Sequence, residues 1–241
     1  MDKILDNLSE YFRVQKELYG SELILSQKLV DELPDNAPFD RPVEPINKQI
    51  SDKNHGHLQS YYHEIKDCLK CPLGTTRTNF VFGVGNERAD LMLIGEAPGR
   101  DEDLQGIPFV GRAGQLLTLM LQSIDLSREE VFIANVLKCR PPNNRDPQPD
   151  EIEKCEPYLL KQIKIISPKL IVTLGRFASA SLLRTKSALG SLREEVHTYN
   201  DVPLIVTYHP AALLRNPQLK RQAWEDLKKI SAYLKKNDND N

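Results

Sequence analysis

Apolar residues along the chain gather into four short runs separated by helix-like stretches. The runs are Ala89–Ile94 (ADLMLI), Val131–Leu137 (VFIANVL), Leu170–Leu174 (LIVTL) and Leu204–Tyr208 (LIVTY). Runs this short, apolar throughout, suit strands buried on both faces. Between them, Gly114–Ile124, Asp150–Ile166 and Arg176–Leu183 read as helices, and Gln218–Lys235 closes the chain as another. Ser127-x-x-Glu130, just before the second run, reads as a capping box over a short helical turn. Strands alternating with helices predict an α/β fold, a parallel sheet covered on both faces. The sequence shows no internal repeat.

The N-terminal quarter has a different pattern. Residues 3–32 read as helix, with Ile4, Leu8, Phe12, Leu18, Leu25 and Leu29 toward one apolar side. Residues 33–57 hold four prolines and few core-forming side chains, the composition of a linker. The expected division is an acidic N-terminal helix plus Pro-rich linker over 1–57 and a globular domain over 58–241. Charge follows the same division: residues 1–60 carry seven Lys and Arg against eleven Asp and Glu, and the remainder carries twenty-five against twenty-three. That basic excess is too small to argue for nucleic acid alone. An apolar share of 40% and a charged share of 27% are those of a soluble globular protein. No apolar run approaches the roughly 20 residues of a membrane span, and the first residues lack the apolar core of a secretory signal. The expected setting is a reducing cytoplasm, where disulfides are disfavoured.

The four cysteines add chemistry. They stand as Cys68-x2-Cys71 and Cys139-x15-Cys155. Two residues between thiols make a tight turn that brings both to one ion or cluster. The second pair is spaced too widely for a turn and would have to converge through the fold. Soft sulfur ligands suit zinc or an iron–sulfur cluster, and the spacing leaves both open, although it does not match a short zinc ribbon. Four unrelated thiols is the plainer alternative.

In an open α/β sheet, ligands bind beyond the carboxyl ends of the strands. Gly95-Glu96-Ala97-Pro98-Gly99 follows the first strand, Asn135 interrupts the second, Gly175-Arg176 follows the third and His209-Pro210 the fourth. Singly, Glu96 reads as a solvated acid, Asn135 as a satisfied core amide and His209 as a turn residue. Together, a carboxylate, an amide and an imidazole at one sheet edge form a candidate site. Phe82–Glu87 (FGVGNE) superficially looks like a phosphate loop, but it lacks the GKS/T ending and precedes a strand where such a loop follows one.

Taken in order, these segments resemble family 4 of the uracil-DNA glycosylases, the iron–sulfur type. The resemblance rests on Gly95–Gly99 (GEAPG), Asp101-Glu102-Asp103, Gly106–Leu117 (GIPFVGRAGQLL), Ile133–Arg145 (IANVLKCRPPNNR), the cysteine spacings and His209–Pro217 (HPAALLRNP). It covers roughly Tyr61 to Leu234 and leaves out residues 1–60. It implies a four-stranded parallel sheet sandwiched between helices. It also implies a structural [4Fe–4S] cluster on Cys68, Cys71, Cys139 and Cys155, and a monomer acting in the cytoplasm on nucleoid DNA. The implied activity is hydrolysis of the bond between uracil and deoxyribose in uracil-containing DNA, the first step of base-excision repair.

The resemblance also implies roles. His209 hydrogen-bonds the uracil O2 as charge develops, Asn135 reads uracil N3–H and O4, and Phe109 stacks on the flipped base. The Gly95–Gly99 loop approaches uracil through its backbone. Family 1 enzymes carry an aspartate where this chain has Ala97, so Glu96, then Glu102, is the candidate for handling the water. Leu213 or Leu214 is expected to wedge into the DNA, with Arg215, Lys138, Arg140 and Arg145 on phosphates. The competing reading is a non-catalytic metal-bearing DNA-binding protein, which would not need Glu96, Asn135 and His209 to converge.

Overall fold

A computed structural model describes residues 57–239. The expected acidic helix and linker over 1–57 lie outside these residues, except His57. Nine helices and six strands occur among the described residues: α1 (His57–Ile65), α2 (Leu73–Thr76), β1 (Val84–Gly85), β2 (Leu91–Gly95), α3 (Arg100–Gln105), α4 (Arg112–Gln122), β3 (Phe132–Asn135), α5 (Pro149–Ile166), β4 (Leu170–Leu174), α6 (Arg176–Leu183), α7 (Leu189–Leu192), β5 (His197–Tyr199), β6 (Val202–Thr207), α8 (Pro210–Arg215) and α9 (Lys220–Asn239).

The strands form one sheet in the order β1-β3-β2-β4-β6-β5. The central four are parallel and correspond to the four apolar runs. The expected four-stranded sheet is therefore extended to six by a short antiparallel strand at each edge, β1 on β3 and β5 on β6. Neither edge strand announces itself: Val84–Gly85 has two residues, and His197–Tyr199 has one buried position among three.

Alternation along the central strands builds two cores. Met92 and Ile94 of β2, with Phe132, Ala134, Ile171, Leu204 and Val206, face Leu58, Tyr61, Tyr158, Leu159, Ala178 and Leu182 from α1, α5 and α6. Leu91 and Leu93, with Ile133, Leu170, Val172, Leu174 and Ile205, face Leu116, Leu117, Met120, Trp224 and Leu227 from α4 and α9. Successive residues of a strand point to opposite faces, so a five-residue apolar run feeds both layers. This places helices on both faces, as the sequence predicts.

β2 lies between β3 and β4, so the chain leaves β2 toward one side and later returns on the other. Loops diverging at such a reversal open a crevice at the carboxyl ends of the strands. The stretch Ser127–Glu130 is a turn and not a helix: the Ser127 N–H donates to Glu130 Oε2 at 2.8 Å, half of the expected capping box. Among the described residues, no helix is long and apolar enough to cross a membrane.

Candidate active site

The register brings Gly95 of β2 level with Asn135 of β3 at the carboxyl ends of both strands. Pairing continues past the strands, with the Val136 and Leu137 N–H groups donating to the carbonyls of Gly95 and Glu96 at 2.9 and 3.0 Å. Asn135 is 2% exposed, and its Oδ1 has no hydrogen-bond partner among the described residues. An unsatisfied buried amide oxygen is costly and calls for a role. It points toward Gly95, where an added Cβ would sit 2.3 Å from Asn135 Oδ1 and 2.6 Å from Phe109 Cζ. Gly95 is thus glycine so that two side chains can close over bare backbone.

Phe109 reaches this position with φ at +54°, a left-handed conformation unusual for an aromatic residue. Its flanks are held from outside. Glu102 Oε1 accepts from the N–H groups of Val110 at 3.0 Å and Gly111 at 3.2 Å, while Oε2 accepts from Gly99 N–H at 3.1 Å. Arg128 Nη2 donates to the Pro108 carbonyl at 3.0 Å. The Glu102 carboxylate therefore ties the Gly95–Gly99 loop to the Phe109 turn. Those three bonds occupy both of its oxygens, a poor arrangement for handling water.

The Phe109 ring lies 5.5 Å from the His209 ring at an interplanar angle of 32°. His209 caps α8: its Nδ1 accepts the Ala211 N–H at 3.1 Å. A ring nitrogen that accepts carries no proton, so Nε2 bears the hydrogen of the neutral ring. Burial, and secondarily the positive Arg215, pushes the pKa of His209 down to about 4. His209 is thus a neutral Nε2–H donor at physiological pH. Gly175 at φ +89° lets β4 turn beneath it, since a Cβ there would meet His209 Cβ at 2.8 Å.

Glu96, next to Gly95 in the chain, is half-buried. Burial, then the Asp146 carboxylate, pushes its pKa up to about 7, with Arg176 working in the opposite direction. Asp146 and Arg176 were not among the sequence candidates. Arg176 stands beside a strand-end glycine, a signal that was legible, whereas Asp146 arrives on a loop that no local pattern places. Ala97 packs against the core under α5 and α6.

The DNA-contact candidates separate. Leu213 is 2% exposed within the core that includes Trp224, and so it is a packing residue. Leu214 is half-buried and Arg215 exposed. Lys138 is fully buried. Its Nζ donates to the Asn135 carbonyl at 2.8 Å and Gln162 Oε1 at 2.7 Å, and burial lowers its pKa to about 8. It braces Asn135 and cannot reach a phosphate, which corrects the sequence expectation. Arg145 makes a two-pronged pair with the buried Glu151, at 2.9 and 2.5 Å, and Arg140 donates to Asn144 Oδ1 at 2.7 Å. Both side chains brace the loop ahead of α5.

All four cysteines line one small pocket together with Phe80, Gly74, Lys70, Lys154 and Tyr158. Donors converge on the sulfurs: Tyr158 Oη on Cys68 at 3.0 Å, Arg77 Nη1 on Cys139 at 3.2 Å and the Lys138 N–H on Cys155 at 3.3 Å. Arg77 also donates to the carbonyls of Cys68 and Lys66, both at 2.7 Å, joining the CxxC segment to the loop after β3. Tyr158 follows Cys155 by three positions on α5, hence on the same helix face, a spacing visible in the sequence. Arg77 carries no such signal. Among the described residues, no group of three or more His, Cys, Asp or Glu side chains is disposed to hold a single metal ion. Burial pushes the Cys155 thiol up to about 12 and the Cys139 thiol upward as well.

Residues 82–228 match the Uracil DNA glycosylase superfamily. The chain is 51% identical over 181 residues to the type-4 uracil-DNA glycosylase of Archaeoglobus fulgidus, covering 72% of this chain and 91% of that protein. It is 47% identical to that of Saccharolobus solfataricus, covering 71% and 83% of the two chains, and 44% identical to that of Thermotoga maritima, covering 71% and 92%. The chain belongs to the type-4 uracil-DNA glycosylases.

Proposed function

We infer that the chain excises uracil from DNA by hydrolysing its N-glycosidic bond. The observation that carries the reading is the convergence of an unsatisfied Asn135 Oδ1, the Phe109 ring and the His209 imidazole around the bare backbone of Gly95. A flipped base would lie on Phe109, with uracil N3–H on Asn135 Oδ1 and O4 on its amide hydrogens. Cytosine offers the opposite edge and would leave those groups unpaired.

Bond cleavage leaves negative charge on uracil and positive charge on the sugar. His209, neutral and protonated at Nε2, donates to O2 as that charge grows, a donor preorganised by the bond from the Ala211 N–H to its Nδ1. Glu96 is the carboxylate for the attacking water and the cationic sugar, while Glu102 holds the loops in place. Leu214 is the leucine left to fill the gap in the stack, and Arg215 meets phosphate.

Cys68, Cys71, Cys139 and Cys155 fit a [4Fe–4S] cluster. All four line one pocket; their spacing suits zinc as well, and the resemblance to the iron–sulfur type of uracil-DNA glycosylase is what favours the cluster. The N–H and O–H donors on three sulfurs suit thiolate ligands, and the buried thiols must release protons when they bind. Holding a cluster there, the four cysteines would tie the segment before β1 to the loop after β3 and to α5, a mechanical contribution.

The test is single-turnover release of uracil from a labelled oligonucleotide, with iron measured on the same preparation. Uracil release, slowed about 10²- to 10³-fold in His209→Ala with DNA affinity kept, is the expected result. DNA binding and iron without release would favour the non-catalytic DNA-binding reading.

A further inference from the structure

A phenylalanine with positive φ persists only where its surroundings over-determine it. At Phe109 the two adjoining peptide groups are each held by a charged side chain from another element. Glu102 of α3 accepts from the N–H groups on the far side, at Val110 and Gly111. Arg128, from the turn after α4, donates to the Pro108 carbonyl on the near side at 3.0 Å. The turn is itself stapled, by Ser127 N–H to Glu130 Oε2 at 2.8 Å and Glu130 N–H to the Ser127 carbonyl at 3.4 Å. Gly114 lets the Phe109 carbonyl come against α4, where a Cβ would lie 1.8 Å from that oxygen.

Arg128 is an expensive way to make one bond. Its guanidinium is largely removed from water, its Nη1 is buried with no partner among the described residues, and burial depresses its pKa. A half-satisfied buried cation is a poor source of stability. We propose that Arg128 is a positioning residue: by holding the Pro108 carbonyl against the pull of Glu102 on the next two N–H groups, it locks Phe109 in its left-handed backbone and aims the ring between Asn135 and His209. The inference rests on the glycosylase reading, in which that ring is the platform for the flipped base.

The experiment compares wild type, Arg128→Met, Arg128→Lys, Phe109→Ala and the Arg128→Met/Phe109→Ala double variant. Single-turnover uracil release, inhibition by free uracil and thermal unfolding are read for each. Arg128→Met slows release about tenfold and weakens free-uracil inhibition by a similar factor. Arg128→Lys recovers part of both. The double variant is no slower than Phe109→Ala alone, because the clamp has nothing left to aim. Effects that multiply in the double variant, or an Arg128→Met change confined to melting, overturn the proposal. If Arg128→Met does not fold, Arg128→Lys carries the same cycle. A wild-type chain that releases no uracil overturns the glycosylase reading and this inference with it, whereas an active wild type with multiplying effects overturns the clamp alone.

Discussion

Two side chains of opposite temperament share the site. His209 is held neutral, with its pKa near 4, so it does not titrate between pH 5 and 8. Glu96 is held near 7 by burial and Asp146, inside that window. If the Glu96 carboxylate handles the water, the rate rises with pH through about 7 and then levels. A pH–rate profile checks this, and Glu96→Gln should be slow and flat across the same range. Linkage gives a second readout. A carboxyl whose pKa is raised on folding costs stability above its unfolded value near 4.5, increasingly up to about pH 7. Glu96→Gln should therefore raise stability at pH 8 by about 2 kcal/mol, the full shift being discounted because the side chain is still partly in water, and leave it unchanged near pH 4, as read by denaturant unfolding. Asn135 was legible at this scale because an amide interrupts an apolar run. The opposite fates of Glu96 and Glu102 were not, because both lie in polar loops and only the fold decides which carboxylate meets backbone N–H groups.

At the scale of elements, the four runs Ala89–Ile94, Val131–Leu137, Leu170–Leu174 and Leu204–Tyr208 gave the four parallel strands, since burial on both faces leaves a continuous apolar signature. The helices α1, α2, α3, α7 and α8 were missed: each has nine residues or fewer, too short for a helical period to stand out in the sequence. The site depends on where strands stop, and glycine marks two of those ends. Gly95→Ala should cut activity at least 100-fold, with only a modest fall in melting temperature, because its methyl group must displace Asn135 Oδ1 or the Phe109 ring. Kinetics set beside thermal unfolding will separate the two effects. The cysteine pocket is the other joint between elements. Cys139→Ser should lower iron content and unfolding temperature together, measured by metal analysis and calorimetry on one sample. A variant with full iron content would remove Cys139 from the ligand set.

For the whole molecule, the reading of the basic residues changed most. Lys138, Arg140, Arg145 and Arg215 look alike in sequence, yet burial and pairing leave Arg215 as the exposed one, without a side-chain hydrogen bond among the described residues. Counting positive charge along a chain cannot show which ammonium or guanidinium group has been turned inward. Arg215→Ala should reduce the slope of log affinity for DNA against log salt by about one, whereas Lys138→Met should leave the slope as it was. Binding titrations at several salt concentrations decide this. The two edge strands carry a consequence of another kind. A sheet grows by templating: an exposed edge offers a ladder of free backbone groups on which another chain can crystallise. Here the outermost strands are two and three residues long and run against their neighbours. They offer so short a ladder that an incoming strand would gain little from pairing. A sheet apolar enough to seed aggregates is thus blunted at both ends, and self-association through the described residues would have to begin on their helices.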